Sequence, residues 1–399
     1  MPDRTELTDA DIEQLVETRR HLHARPELSH DETETADFIE QRLDEIGVDR
    51  HERIAETGVV AVVDGGREGP TLAWRADIDA LPIDETNDAS YASNHDGVMH
   101  ACGHDVHTTV GLGIADQVVE RRASFPGTVK FIFQPAEEAT PEDEPVGAER
   151  MARQGVLQNP DVDGIFAVHC MPDLSVGQIG YTGGSVWAGS DLIEIEVRGE
   201  TAHGAKPHEG LDATVVASQI VVALQSVVSR RIDARDACVV TIGQMESGSN
   251  YNVLAGRAEL TGTLRALSAP VAEQAKEAIR RIARGVASGF GATEDVEFTP
   301  GARPVINDGR LETLAVDSLR DRRGDRVVQH PPQLAAEDFA AFSHRVPGCY
   351  LFLGVRNENR GIVHGLHTSD FDVDEECLEV GVSSMTDMLF DVAANWSVT

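Results

Sequence analysis
The chain has 399 residues and 68 acidic against 34 basic side chains, a formal net charge of −34 at pH 7; nucleic acid and anionic membrane surfaces would be repelled and are excluded as partners. That length predicts two to three domains with real cores, and no stretch approaches the roughly 18 unbroken apolar residues of a membrane span. The five scattered cysteines form no disulfide framework, and the polar opening Met1-Pro2-Asp3-Arg4-Thr5-Glu6 does not read as a secretory signal, so the expected location is cytoplasmic.

Thr8 and Asp11 form a capping-box opening, and Ile12, Leu15, Val16 and Leu22 then recur at helical spacing. A second helix is predicted from about Thr33 to Ile46, stopped by Gly47. Val59–Val63 and Thr71–Trp74 read as strands separated at Gly65-Gly66, and a helix follows from about Asp105 with Gly111 and Gly113 inside it. Strand Thr128–Gln134, a helix near Ala148–Gln154 and strand Gly164–Val168 continue the alternation. Strands alternating with helices predict an α/β catalytic domain, with a largely parallel central sheet flanked by helices.

The pattern changes at Ser190. Ser190–Val197 alternates, a long helix runs from about Leu211 to Arg230, and strands fall near Val239–Met245 and Arg257–Leu264. A helix near Pro270–Ala287 and a strand around Val296 follow. The order β-α-β-β-α-β in about a hundred residues is the ferredoxin-like split. Residues 186–301 are therefore expected to form an inserted α+β lid domain, and 1–185 with 302–399 the catalytic, metal-binding domain. The acidic run Glu142-Asp143-Glu144 reads as a solvated loop.

Met99-His100-Ala101-Cys102-Gly103-His104-Asp105 sets a thiol and an imidazole two residues apart where a loop enters a helix. The glycine between them lets both side chains turn toward one point. Alone, the pattern reads more readily as a buried inert cysteine and a capping histidine; further segments reverse that reading. Glu137 and Glu138 follow a strand and a proline, at the carboxyl edge of an α/β sheet where sites form. Adjacent carboxylates in a loop point in different directions, so one can bind metal while the other acts as a base; an acidic surface loop is the even alternative. His169 closes its predicted strand at the same edge, and His364 and His367 add two imidazoles in a Gly-containing loop, one of them incidental. In the inserted domain, His203 and His208 read either as a third metal pair or, for His203, as an oxyanion donor facing substrate. His21 and His23 lie on an amphipathic helix and read as structural. Asn252 and Arg265 follow the lid strands and could grip a carboxylate, Arg265 through its fork.

In this order, the segments resemble the amidohydrolase branch of the dinuclear metallopeptidases, the group that includes aminoacylases, hippurate hydrolases and indole-acetyl-amino-acid hydrolases. The match begins at Arg19-Arg20-His21-Leu22-His23-Ala24-Arg25-Pro26-Glu27-Leu28 and includes Arg75-Ala76-Asp77-Ile78-Asp79-Ala80-Leu81-Pro82. It continues through Cys102-Gly103-His104-Asp105, Phe133-Gln134-Pro135-Ala136-Glu137-Glu138 and Ala336-Glu337-Asp338-Phe339 to the C-terminal histidine loop. The resemblance implies metal ligands at Cys102, His104, Glu138, His169 and His367, the last because it holds the His-x-x-x-Phe position ending at Phe371. It implies Glu137 as general acid/base, His203 as the lid histidine that polarises the scissile carbonyl, and Asn252 and Arg265 on the substrate carboxylate. Two divalent metal ions are implied as well, and a thiolate among nitrogen and oxygen donors favours zinc or manganese. There are two departures. Asn252-Val253-Leu254-Ala255 lacks the usual proline, and Thr140 to Pro145 is acidic where relatives are often glycine-rich.

The expected function is metal-dependent hydrolysis of the amide bond of N-acyl amino acids, small-molecule substrates, with Glu137 moving the proton. The alternatives are a dipeptidase or carboxypeptidase of the same chemistry, or a catalytically silent metal-binding protein. Val215, Val216, Ile220, Val221 and Leu224 give the lid helix more apolar surface than a small lid needs, which predicts a homodimer through the lid. With only three lysines, Lys130, Lys206 and Lys276, the acidic surface suits molar salt, and the chain reads as halophilic.

Overall fold
The computed structural model describes residues 5–139 and 147–396. The acidic stretch Thr140 to Pro145, with Glu142-Asp143-Glu144, lies outside the described residues. Two compact units are present: Met1–Gly184 with Ile306–Pro331 and Ala341–Thr399, and Ser185–Val305 with Pro332–Ala340. The second unit thus takes residues 302–305 and a return segment, 332–340, that linear reading gives to the first. Backbone bonds explain the return: Gln333 N–H donates to Val186 O, and Ala188 N–H to the Gln333 and Ala335 carbonyls.

The first unit is built on eight strands in the spatial order Arg50–Ile54, Gly58–Asp64, Pro126–Gln134, Arg67–Asp77, Gly164–Ser175, Gly348–Arg356, Ile179–Tyr181 and Val327–Gln329. The central pairings are parallel: Arg67–Asp77 with Pro126–Gln134 and with Gly164–Ser175, and Gly164–Ser175 with Gly348–Arg356. Antiparallel pairs flank them. Central strands covered on both faces have no polar face to alternate with, so Gly348–Val355 is buried at every position. Each fully buried Val, Leu, Ile or Phe there contributes about 1.5–3 kcal/mol.

Local signals behave as their chemistry dictates. Thr8 N–H donates to Asp11 Oδ2 at 2.7 Å and Asp11 N–H to Thr8 Oγ1 at 3.3 Å, starting helix Asp9–His23. Gly47, at φ 79°, ends helix Thr33–Ile46 in the left-handed conformation. Helix His104–Glu120 is buried along most of its length. A Cβ at Gly113 would lie 2.5 Å from Val382 Cγ2 and 2.8 Å from Leu15 Cδ2, so glycine there lets three helices approach. Two features differ from expectation. The edge strand Arg50–Ile54 is polar and carries no apolar period to announce it. The strand beginning at Gly164 runs on through His169 to Ser175 instead of closing at it.

The second unit holds a four-stranded antiparallel sheet in the order Thr293–Pro300, Gly189–Arg198, Arg257–Ala266, Cys238–Ser247. With helices Ala213–Arg231 and Ala269–Phe290 in the crossovers, this is the ferredoxin-like split. Ile193, Ile195 and Val197 alternate into its core, while Leu192 faces the other way. Helix Ala213–Arg231, capped by Asp212, is long and apolar enough to cross a membrane by length and composition. Its stripe of Val216, Ile220, Leu224 and Val227 packs within this unit, and Val215, Val222 and Val228 are exposed.

Candidate metal centre
Within the first unit, the end of strand Arg67–Asp77 organises the candidate site. Past Asp77 the chain turns through Asp79, and Leu81 exchanges two backbone bonds of 3.0 Å with Met99, returning residues 99–105 to the strand's end. Gly103 then adopts φ 82° and caps the helix that begins at His104. A Cβ on Gly103 would lie 3.0 Å from both Cβ and Sγ of Cys170. Only glycine meets both demands, and its flanking residues Cys102 and His104 are thereby turned to one place.

The imidazoles are oriented by what holds their outer nitrogens. His104 Nδ1 lies 2.9 Å from the Asp79 carbonyl and 3.1 Å from Asp79 Oδ1, which puts the Nδ1 proton there and leaves Nε2 to face the site. His169 Nδ1 lies 2.7 Å from the Cys170 carbonyl, so its Nε2 lone pair faces Cys102 Sγ at 3.4 Å. His367, at φ 59° and with its N–H on the Ala101 carbonyl, brings Nε2 to 3.3 Å from Cys102 Sγ and 3.0 Å from Glu138 Oε1. Ligand atoms lie within 4.8 Å of one another in three overlapping groups: Cys102, His104 and His169; Cys102, Glu138 and His367; His104, Glu137 and Glu138. Cys102 is common to the first two.

These donors fit divalent ions on observations independent of any resemblance. Among the described residues, buried His104 Nε2 finds no hydrogen-bond partner, and Glu138 Oε1 faces the imidazole of His367 at 3.0 Å. Burial, and then the carboxylates of Glu138, Glu137 and Asp77, push the Cys102 thiol well above its usual range, so a thiolate there needs a cation beside it. Burial, reinforced by His107, holds His169 well below the usual imidazole range, neutral and able to donate its lone pair. At His104, burial opposes the charge, but Asp77 and Asp79 outweigh it and raise the group to about 10. Such a position selects positive charge at Nε2, whether a proton or a metal ion. Three imidazoles, a thiol and carboxylates are a donor set suited to divalent metal ions.

Further groups hold these donors in place, and sequence reasoning assigned none of them. Asp79, 1 % exposed, accepts Ser29 Oγ–H at 2.7 Å and Glu138 N–H at 2.9 Å on Oδ2. Asp77 Oδ1 takes His107 Nδ1–H at 2.6 Å while His107 Nε2 accepts Cys170 N–H at 2.8 Å, and Arg75 Nη1 lies 2.6 Å from Asp77 Oδ2. Both nitrogens of His107 are therefore spent, and Asp77, His104 and His107 form a brace although their ligand atoms also cluster. Arg75, with His104 and His107, holds Asp77 well below the usual carboxylate range despite its burial. Behind His104, Asp105 Oδ2 receives Arg19 Nε at 2.7 Å and His23 Nδ1 at 2.8 Å. His23 thus belongs to that brace, whereas His21 stacks on Phe38. The signal for Asp77 and Asp79 was an Asp-x-Asp leaving an apolar strand at the carboxyl edge.

The remaining candidates separate. His364 Nδ1 lies 3.4 Å from Asp370 and joins none of the ligand groups found among the described residues. His203 and His208 join none either. In the second unit, His203 Nδ1 accepts Ala205 N–H at 3.0 Å, which places the ring proton on Nε2. Gly204 N–H donates to the Asn252 carbonyl at 2.7 Å and His203 bridges Val253, so His203 and Asn252 share one exposed loop cluster. Arg265 uses Nη1 on the Leu334 carbonyl at 3.3 Å.

Comparison with known proteins adds to this geometry. The profile of Peptidase family M20/M25/M40 matches residues 73–391. The N-acetyl-L-cysteine deacetylase of Bacillus subtilis is 37% identical over 365 residues, 92% of this chain and 85% of that protein. Thermostable carboxypeptidase 2 of Saccharolobus solfataricus is 36% identical over 369 residues, 92% of each chain. The crystal structure of the Bacillus subtilis YXEP protein, described as a dinuclear metal binding peptidase from the M20 family, superposes with a TM-score of 0.86 at 34% identity, covering 98% of this chain and 100% of that one. Likeness over nearly its whole length makes this chain a member of peptidase family M20/M25/M40, a metal-dependent amidohydrolase.

Proposed function
We propose that the protein hydrolyses the amide bond of N-acyl amino acids, releasing a carboxylic acid and a free amino acid. The observation that carries this reading is the convergence of Cys102, His104, Glu138, His169 and His367, with His104 Nε2 unpartnered among the described residues. These five residues are the proposed ligands of two divalent ions, zinc or manganese. Bound there, the ions supply Lewis-acid polarisation of a carbonyl and lower the pKa of a water toward neutrality.

The chain's own residues carry the proton and the substrate. Glu137 takes the proton of the attacking water and delivers it to the leaving amine, while its neighbour Glu138 serves as a ligand. His203 donates a hydrogen bond from Nε2–H to the carbonyl oxygen as negative charge develops. Asn252 and Arg265 are assigned to the substrate carboxylate; Arg265 has one nitrogen engaged with Leu334 and a fork of further donors.

A homodimer through the second unit is part of the proposal. Val215, Val222 and Val228 are 46, 67 and 36 % exposed on one helix, and strand Cys238–Ser247 lies at the edge of its sheet. Exposed valines on that helix beside an open strand edge suit a second copy of the same surface. A cytoplasmic location suits the five free cysteines, since a reducing compartment keeps Cys102 able to ligate. The charge of −34 supports working conditions of molar salt.

The test is metal content by mass spectrometry, with hydrolysis of N-acetyl, N-benzoyl and indole-acetyl amino acids in molar salt, with and without chelator. About two ions per chain and chelator-sensitive release of an amino acid are expected from the two-metal chemistry. Turnover indifferent to chelation would overturn the reading. The carboxypeptidase relative favours a second one, cleavage of peptides by the same residues. Dipeptides in the same panel decide between them.

A further inference from the structure
Glu32 is a fully buried carboxyl outside the proposed ligand set. It stands at the N-cap of helix Thr33–Ile46, where a side-chain oxygen ordinarily satisfies the helix's own first N–H groups, yet it makes no such bond. It turns away instead. Oε2 accepts Thr57 Oγ1–H at 2.7 Å, and Oε1 accepts the backbone N–H of Ala136 at 2.8 Å.

Ala136 is the residue before Glu137, and its backbone is unusual. It is fully buried and sits at φ 51°, the left-handed region that a residue with a Cβ rarely occupies. Two bonds hold it there: Glu32 on its N–H, and Gly147 N–H on its carbonyl at 3.1 Å. Two residues later, Glu138 N–H is held by Asp79 Oδ2 at 2.9 Å. Glu137 is therefore bracketed by buried carboxylates reaching in from two other parts of the chain. A left-handed turn clamped on both sides sets where the next side chain points, because one peptide rotation at Ala136 would swing the Glu137 carboxylate away.

We propose that Glu32 is a positioning residue for the reaction: by holding the Ala136 N–H it fixes the left-handed turn that aims Glu137. This rests on Glu137 being the general acid/base. The bond needs an acceptor at a set reach and needs no negative charge, since both partners of Glu32 are neutral donors. Reach and charge are therefore separable by substitution. Glu32→Gln keeps an oxygen at the same distance, Glu32→Asp keeps the charge but withdraws the oxygen by one methylene, and Glu32→Ala removes both.

The experiment compares these three variants and Glu137→Gln with the metal-loaded wild type, on the acyl amino acid or dipeptide each cleaves fastest in the panel above. Glu32→Asp and Glu32→Ala are expected to lower kcat by about 10–100-fold, as misplacement of a reacting group does. KM and ions bound per chain should stay near wild type, and Glu32→Gln should recover most of the rate. If Glu32→Ala does not fold, the Asp and Gln pair carries the comparison. Amide hydrogen exchange of the segment Phe133–Glu138 in the metal-free protein gives a reading independent of turnover. Faster exchange there in Glu32→Asp, with Glu32→Gln unchanged, is expected. Wild-type kcat or unchanged exchange in Glu32→Asp would overturn the proposal, as would loss of rate in all three variants in step with thermal stability. Retained activity in Glu137→Gln would instead overturn the assignment of the base, which distinguishes the two failures.

Discussion

Asp79 Oδ2 accepts the backbone N–H of Glu138 at 2.9 Å while Oδ1 of the same carboxylate lies 3.1 Å from His104 Nδ1. One buried side chain thus sets the direction of a carboxylate and an imidazole that reach the site from different segments. Asp79→Ala is expected to weaken metal affinity by about 10–100-fold, the usual consequence of removing the group behind a ligand. Titration against a chelator of known affinity measures it, with circular dichroism to show that the fold is intact. Unchanged affinity would mean that packing alone orients both donors.

His203 gives a contrasting expectation. Its Nδ1 is occupied by Ala205 N–H at 3.0 Å, so Nε2 carries the N–H that the proposed oxyanion role requires. His203→Ala should lower kcat by about 10²–10³, the effect of losing one oxyanion donor, with metal content unchanged. Loss of a metal ion in this variant would restore His203 as a ligand.

The pH dependence of stability has a definite sign at Glu32. Burial, and then the charge of Asp79 facing it, raise this carboxyl from 4.5 to about 7. The folded chain therefore holds this proton more tightly than the unfolded chain does. The resulting stabilisation is full below pH 4.5 and is lost as pH rises through 7. Its size is on the order of 3 kcal/mol. Denaturant unfolding of the metal-free wild type and Glu32→Gln at pH 4.5 and pH 8 isolates it. The wild type should lose that much stability relative to the variant across the interval, and a constant difference between the two proteins would refute the assignment.

Lys130 offers a test of the core rather than the site. It is 2 % exposed, and its Nζ donates to the carbonyls of Val156, Gln158 and Pro160 at 2.9, 2.7 and 3.0 Å. Burial draws its pKa down to about 8, and the three acceptors are what keep the buried ammonium in place. Lys130→Met fills the same volume but strands three carbonyls, and should cost about 2–4 kcal/mol by chemical denaturation. A loss under about 1 kcal/mol would show that the loop at 156–160 rearranges to satisfy itself.

Much of this protein is readable along the chain, because several of its signals are local. The Cys102-Gly103-His104 turn depends on one left-handed glycine at a helix start, and Glu137-Glu138 on a strand followed by proline. The second unit's sheet is announced by alternation, as Ile193, Ile195 and Val197 show, and helices Asp9–His23 and Thr33–Ile46 by a capping box and a terminal glycine. Tertiary structure decided the rest. It brought His367, the histidine the resemblance selects, beside Cys102 and Glu138 and left His364 beside Asp370. It bonded the return segment 332–340 to the second unit and the polar strand Arg50–Ile54 to the sheet edge. It also gave roles to Asp79, Asp105 and Glu32, acidic residues whose partners nothing local in the sequence names. Periodicity and turn chemistry act over a few residues, whereas a buried carboxylate is made tolerable by donors that only folding brings to it, such as Arg19 for Asp105 and Ala136 N–H for Glu32.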